Sequence, residues 1–159
     1  MYTILYIVKT LLMCLYMSYN NTKILKLEKG KLYKISAILY VILSILYAYI
    51  NMSLQMNINT TIYATLCVSI AYIFIYKLSI TYSIVISMLS MAINQVLFCI
   101  SAIIVYVPVR MIHITNEYLS FFIINVVQIG FLKAFWRIKR IRNGITFLKK
   151  WKDDEYMNL

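Results

Sequence analysis

Five long apolar runs, parted by short polar joints, take up most of the 159 residues. They cover about Tyr2–Tyr19, Ile35–Leu54, Ile58–Ile75, Leu78–Val107 and Tyr118–Trp136. A surface helix of a water-soluble domain keeps a polar stripe. Here stretches such as Ile35–Leu54 and Thr81–Val107 are apolar on all sides, and ~20 such residues cross the hydrocarbon of a bilayer. Backbone groups in lipid must pair within their own segment, which makes each run a helix. The pattern predicts an all-α fold: a polytopic membrane bundle of about five transmembrane helices with a basic amphipathic C-terminal segment. Residues 1–136 form the bundle in this reading, and residues 137–159 a cytoplasmic tail.

Composition agrees. Hydrophobic residues make up 63% and charged residues 13% of the chain, against about 45–50% and ~25% in a soluble domain. Three glycines and one proline leave no flexible linker, and the length leaves no room for a soluble catalytic domain beside the bundle. A net charge of +11 would suggest nucleic acid in a soluble protein. Here the charges gather at the ends of apolar runs, so the expected counter-surface is the lipid bilayer, and no nucleic-acid partner is expected.

The distribution of Lys and Arg predicts an orientation. The first joint carries Lys23, Lys26, Lys29, Lys31 and Lys34. The second, around Gln55–Asn57, carries none, the third Lys77, and the fourth Arg110. After the fifth run come Lys133, Arg137, Lys139, Arg140, Arg142, Lys149, Lys150 and Lys152. Five alternating spans place fourteen of the sixteen basic residues on one face, Arg110 on the other and Lys9 within a span. Basic residues stay cytoplasmic, so the expectation is a multi-pass cell-membrane protein with its amino terminus outside and its carboxyl terminus inside. The first run has no preceding positive residue and no small-residue cleavage site after it, so it does not read as a secretory signal. The fourth run exceeds what a bilayer needs, and Pro108 is expected to stop it.

Inside the runs, polar residues recur at helical spacing. The fourth carries Ser79, Ser83, Ser87, Ser90, Asn94 and Ser101 along one face. Thr61, Thr65 and Ser69 repeat the pattern in the third run, and Thr10, Cys14 and Ser18 in the first. Small residues let helices approach closely in lipid, so these faces are packing seams; the alternative is a polar cavity that binds a ligand. Asn94 and Gln95 lie mid-way along the fourth run, and Asn125 and Gln128 share a face of the fifth. A buried amide must find a partner, and a pairing of Asn94 with Gln128 would couple the last two helices. Lys9 is either a functional intramembrane charge or one that snorkels outward along its stem. Ligand-binding or helix-coupling candidates are thus Lys9, Ser87, Asn94, Gln95, Asn125, Gln128 and Arg110.

The inventory for catalysis is thin. The acids are Glu28, Glu117 and Asp153-Asp154-Glu155, and His113 is the single histidine. There is no phosphate-cradling loop, no nucleophile elbow and no paired intramembrane carboxylate. Cys14, Cys67 and Cys99 each sit inside an apolar run without a Cys-x-x-Cys pair, so small core residues are expected, and no metal or cofactor. The chain is not expected to be an enzyme.

From Phe131 the chain turns amphipathic. Phe131, Phe135, Ile138 and Ile141 share one face, and Lys133, Arg137 and Arg140 another. Lys133, Arg137, Lys139, Arg140 and Arg142 are expected on the inner leaflet, and Trp136 in the interfacial aromatic belt. The stretch Phe135-Trp136-Arg137-Ile138-Lys139-Arg140-Ile141-Arg142-Asn143-Gly144-Ile145-Thr146-Phe147-Leu148 resembles the cytoplasmic joint in the membrane sensor of Firmicutes quorum-sensing histidine kinases of the accessory gene regulator C type. In that family a segment of the form Arg-Ile-Lys-Arg-Phe-x-x-Gly-x-x-Phe-Leu follows several spans and precedes a further membrane helix and a kinase region. The upstream spans agree in number and hydropathy.

The resemblance implies a receptor for a small secreted peptide, signalling through a helical lever as a homodimer or with a separate kinase chain. The chain departs from the family at Leu159, before a phosphoacceptor histidine or an ATP-binding region, and His113 falls on the outer side. The expected function is therefore a non-catalytic sensor module, truncated before the kinase domain. Two alternatives remain open: a substrate-binding membrane subunit of a small-molecule importer, or a small structural membrane protein that modulates a partner. Importer subunits commonly have six spans and an Ala-x-x-x-Ala docking face, which the first run lacks.

Overall fold

The computed structural model describes residues 2–25, 30–53, 58–111 and 117–138. They hold five α-helices and no strand: α1 (Tyr2–Ile24), α2 (Lys31–Ser53), α3 (Thr60–Phe74), α4 (Ile80–Met111) and α5 (Glu117–Arg137). The chain is all-helical, as the apolar runs require. Three helices, α2, α4 and α5, are long and apolar enough to cross a membrane. The apolar α3 has 15 residues, and α1 dilutes its 23 with Lys9, Asn20, Asn21 and Lys23. These two helices are the more enclosed. A helix flanked by neighbours carries small and polar residues where a lipid-facing one carries Leu and Ile.

The chain divides into two compact units inside α4, one reaching Met91 and the other starting at Ala92. In the first unit α1 packs on both α2 and α3. Its inward face joins Thr10, Cys14, Met17, Ser18, Asn20 and Asn21, all fully buried. α3 answers with Ala64, Val68 and Ala71, whose small side chains let the backbones come close. α2 buries Ser36, Tyr40, Ser44 and Tyr47 and turns Ile38, Ile42, Ile45 and Tyr49 outward, where an apolar surface suits lipid.

Most buried serine and threonine hydroxyls spend their proton on their own helix. Thr10, Ser44, Thr65 and Ser69 each donate to the carbonyl four residues back, at 2.7–2.9 Å. The α2–α3 joint is tied by side chains. The Tyr47 hydroxyl lies 2.8 Å from the Ile58 carbonyl and 2.7 Å from Thr60 Oγ1. Asn51 Oδ1 accepts the Ile58 N–H at 3.1 Å. Tyr63 donates to the Leu43 carbonyl at 2.9 Å, and Asn59 caps α3 by accepting from the Thr61 N–H at 2.8 Å. After α3 the chain turns through Lys77, whose φ of 54° is left-handed, a conformation in which a side chain is disfavoured.

The second unit holds α4 from Ala92 together with α5. Along α5, Asn125, Gln128, Leu132 and Trp136 form one buried face at steps of three, four and four. Two sequence expectations need correction here. Trp136 is 5% exposed, so it belongs to the buried face and not to an interfacial belt; Phe135, edge-on to it at 5.4 Å, covers one side. Pro108 does not stop α4, which runs to Met111. Proline's fixed φ is helical, and near a C-terminus its missing N–H removes one bond from a turn about to end. Of the tail expected over residues 137–159, the part beyond residue 138, including Lys139, Arg140 and Arg142, lies outside the described residues.

Candidate functional site

Two polar clusters stand out, one in each unit. The serine face of α4 contributes to both: Ser83, Ser87, Ser90, Asn94 and Ser101 are all buried. The spacing that marks the seam in the sequence therefore marks the helix's inward side.

In the second unit, Gln128 Nε2 donates to Asn94 Oδ1 at 2.7 Å and to the Asn94 carbonyl at 3.3 Å. Gln128 is 2% and Asn94 4% exposed. A buried amide bridge of this kind joins α4 to α5. Asn125 is directed elsewhere: its Nδ2 donates to the Phe121 carbonyl one turn back, at 2.8 Å. Gln95 is half-buried beside the bridge and engaged in an interaction of its own. Arg110 falls in the last turn of α4, its side chain outside the described residues. Lys133 and Arg137 are exposed on α5.

The first unit holds a larger cluster, at the end where α1 and α3 finish and α2 and α4 begin. Tyr72 donates to the Ser18 carbonyl at 3.1 Å, with Ser18 Oγ 3.5 Å from its hydroxyl. Asn20 Nδ2 donates to the Ser90 carbonyl at 3.4 Å, and Ser90 donates to Asn21 Oδ1. Tyr76 stacks on Tyr72 with ring centroids 4.6 Å apart. Tyr40 lies beside Ser18 and Ser36, and Tyr76 beside Ser36. Among the described residues, Ser83 Oγ, Ser87 Oγ and Asn21 Nδ2 are buried with no hydrogen-bond partner. Burial pushes the Tyr76 phenol up, so it remains a neutral donor at neutral pH.

Lys9 is exposed on the outer side of α1, next to the buried Thr10. That position suits a charge extending along its own stem. Cys14 and Cys67 are buried and face each other across α1 and α3, whereas Cys99 is exposed. Among the described residues no group of His, Cys, Asp and Glu could hold a metal.

Ser87 thus sits with the first cluster and Asn94 with the second, although the sequence places both on one α4 face. Sequence reasoning missed Asn20, Asn21 and Tyr40. A signal was present: Asn21 continues the Thr10, Cys14, Ser18 series by a step of three, and Tyr33, Ser36, Tyr40, Ser44 and Tyr47 keep a helical rhythm along α2.

No protein-family model, curated protein or solved structure matches the chain.

Proposed function

We propose that this chain is a non-catalytic membrane sensor module that crosses the bilayer five times, amino terminus outside and carboxyl terminus in the cytoplasm, and answers a small secreted peptide. The observation that carries this reading is the Gln128–Asn94 bridge. It fastens α4 to α5, and α5 leads into the basic stretch that resembles a sensor-kinase joint. A ligand that shifts the outer end of α4 moves α5 with it, because breaking the bridge would leave a buried amide unpaired. The exposed basic side chains Lys133 and Arg137 at the end of α5 fit an inner-leaflet contact, each contributing ~1 kcal/mol near an anionic surface.

The orientation is tested by reporter fusions at Lys29 and Lys150. Both are expected to read cytoplasmic, and an external reading at either removes the five-crossing arrangement. The sensing role is tested by joining the full chain to the dimerisation and kinase region of a peptide-responsive histidine kinase. Phosphate transfer in vesicles should then respond to a secreted peptide from a panel of Firmicutes culture fluids. Output indifferent to every peptide, or tight retention of a vitamin-like solute by the purified chain, overturns the reading in favour of the importer alternative.

A further inference from the structure

Cys14 and Cys67 belong to the first unit, and both are enclosed: Cys14 is 0% and Cys67 2% exposed. Each sits midway along its helix, Cys14 on α1 and Cys67 on α3. Their side chains are in hydrogen-bond contact with one another, both as free thiols. The register of the two helices accounts for the meeting. Tyr72 donates to the Ser18 carbonyl, and one turn back along each helix Cys67 faces Cys14, so α1 and α3 run side by side in the same direction. The flanking Ala64, Val68 and Ala71 are buried and small. Small residues let helix backbones come close, which is the condition a disulfide sets.

Two alanines would fill much of the same space; two thiols add the capacity to join. Sulfurs enclosed midway along membrane helices are shut off from charged or bulky reagents, since access governs thiol chemistry. A small uncharged hydroperoxide enters hydrocarbon and fits between helices. One thiol attacks a peroxide oxygen, the O–O bond breaks, and the thiol proton leaves with the departing oxygen as water. The sulfur is then a sulfenic acid, which condenses with a neighbouring thiol to a disulfide. The second sulfur displaces that oxygen, and a second water is released. Two electrons pass from the sulfur pair to the peroxide.

We propose that Cys14 and Cys67 are an oxidisable pair, which a hydroperoxide converts to a disulfide that clamps α1 to α3. The bridge encloses the whole of α2 in a covalent loop, and long closed loops gain the most from a cross-link. In the reduced form α1 is held to α3 by packing and by the Tyr72–Ser18 hydrogen bond. The oxidised form adds a bond that detergent and heat do not loosen. The clamp is independent of the sensor reading and needs only the packing of α1 on α3.

The test uses the full chain in phosphatidylcholine vesicles, in a Cys99→Ala background that removes the exposed thiol. Samples are treated with hydrogen peroxide, then unfolded in denaturing detergent with N-ethylmaleimide. Peptide mass mapping reads the fate of each cysteine. Peroxide should abolish labelling of both Cys14 and Cys67 and yield one linked peptide pair, and dithiothreitol should restore both labels. Melting in mild detergent should rise by roughly 5–15 °C on oxidation, as expected for a native-like cross-link. With Cys14→Ala added, the rise should vanish, and Cys67 should stop at the sulfenic acid, which dimedone traps. Full labelling of both cysteines after peroxide overturns the proposal. So do sulfinic or sulfonic acids at either position without a bridge, a bridge between two chains, or a bridge that leaves melting unchanged.

Discussion

Tyr47→Ala is expected to cost about 3–5 kcal/mol, the range for removing a large buried ring, and to separate α2 from the start of α3. Tyr47 is 1% exposed. Its ring packs against Tyr63 at 4.7 Å and Tyr6 at 6.2 Å between centroids. Its hydroxyl is shared between the Ile58 carbonyl and Thr60. Alanine removes both the ring and the bond, and lipid tails cannot fill a void enclosed by helices. Tyr47→Phe keeps the ring and should cost only about 1–2 kcal/mol, through the unpaired Ile58 carbonyl. Unfolding in detergent, followed by helical circular dichroism against a denaturing detergent, gives both values. Equal effects of the two substitutions would show that the ring contributes nothing and that the hydroxyl alone ties the joint.

The second large effect is expected at the amide bridge, and its size depends on which side is cut. Gln128→Leu leaves Asn94 Oδ1 buried without its donor and should destabilise by about 1–3 kcal/mol. Asn94→Leu should cost less. Gln128 Nε2 then still reaches the residue 94 carbonyl, now 3.3 Å away. Replacing both by leucine removes both amides and should restore much of the stability, because two apolar side chains of similar size need no partner in lipid. The cycle should therefore show a favourable coupling of about 0.6–2 kcal/mol. Additive losses in the double variant would mean that the two amides act separately.

The architecture was legible because lipid imposes a simple rule. Runs like Ile35–Leu54 have no polar side to offer water, and that one is helix as far as it is described, to Ser53. The serine spacing of α4 was equally readable, since a step of three or four residues is a face whatever packs against it. The division of that face was not. Ser90 and Asn94 differ by one turn on one helix, and only three-dimensional neighbours decide that one meets Asn20 and Asn21 of α1 and the other Gln128 of α5. Asn20 and Asn21 were read as joint residues because polar side chains at the end of a run look solvated. In the fold they are fully buried, since α1 is flanked by neighbours there. The tyrosines of α2 were also undervalued. No motif in the sequence marks them out, whereas Tyr40 and Tyr47 lie on one buried side two turns apart. Trp136 misled in the other direction, as aromatic character alone does not say whether a ring faces headgroups or a helix.

The brevity of α3 bears on where such a protein can reside. Fifteen residues rise only about 22 Å, whereas typical hydrocarbon is about 30 Å deep. Both ends are fastened by phenols, Tyr47 at its beginning and Tyr72 near its finish, and tilting would only shorten its reach across the bilayer. In the five-crossing arrangement the surrounding leaflets must pinch toward it, at a cost of fractions of a kcal/mol per ångström. Such a molecule favours short acyl chains, and it carries its own preference for thin bilayer patches in the geometry of its shortest helix.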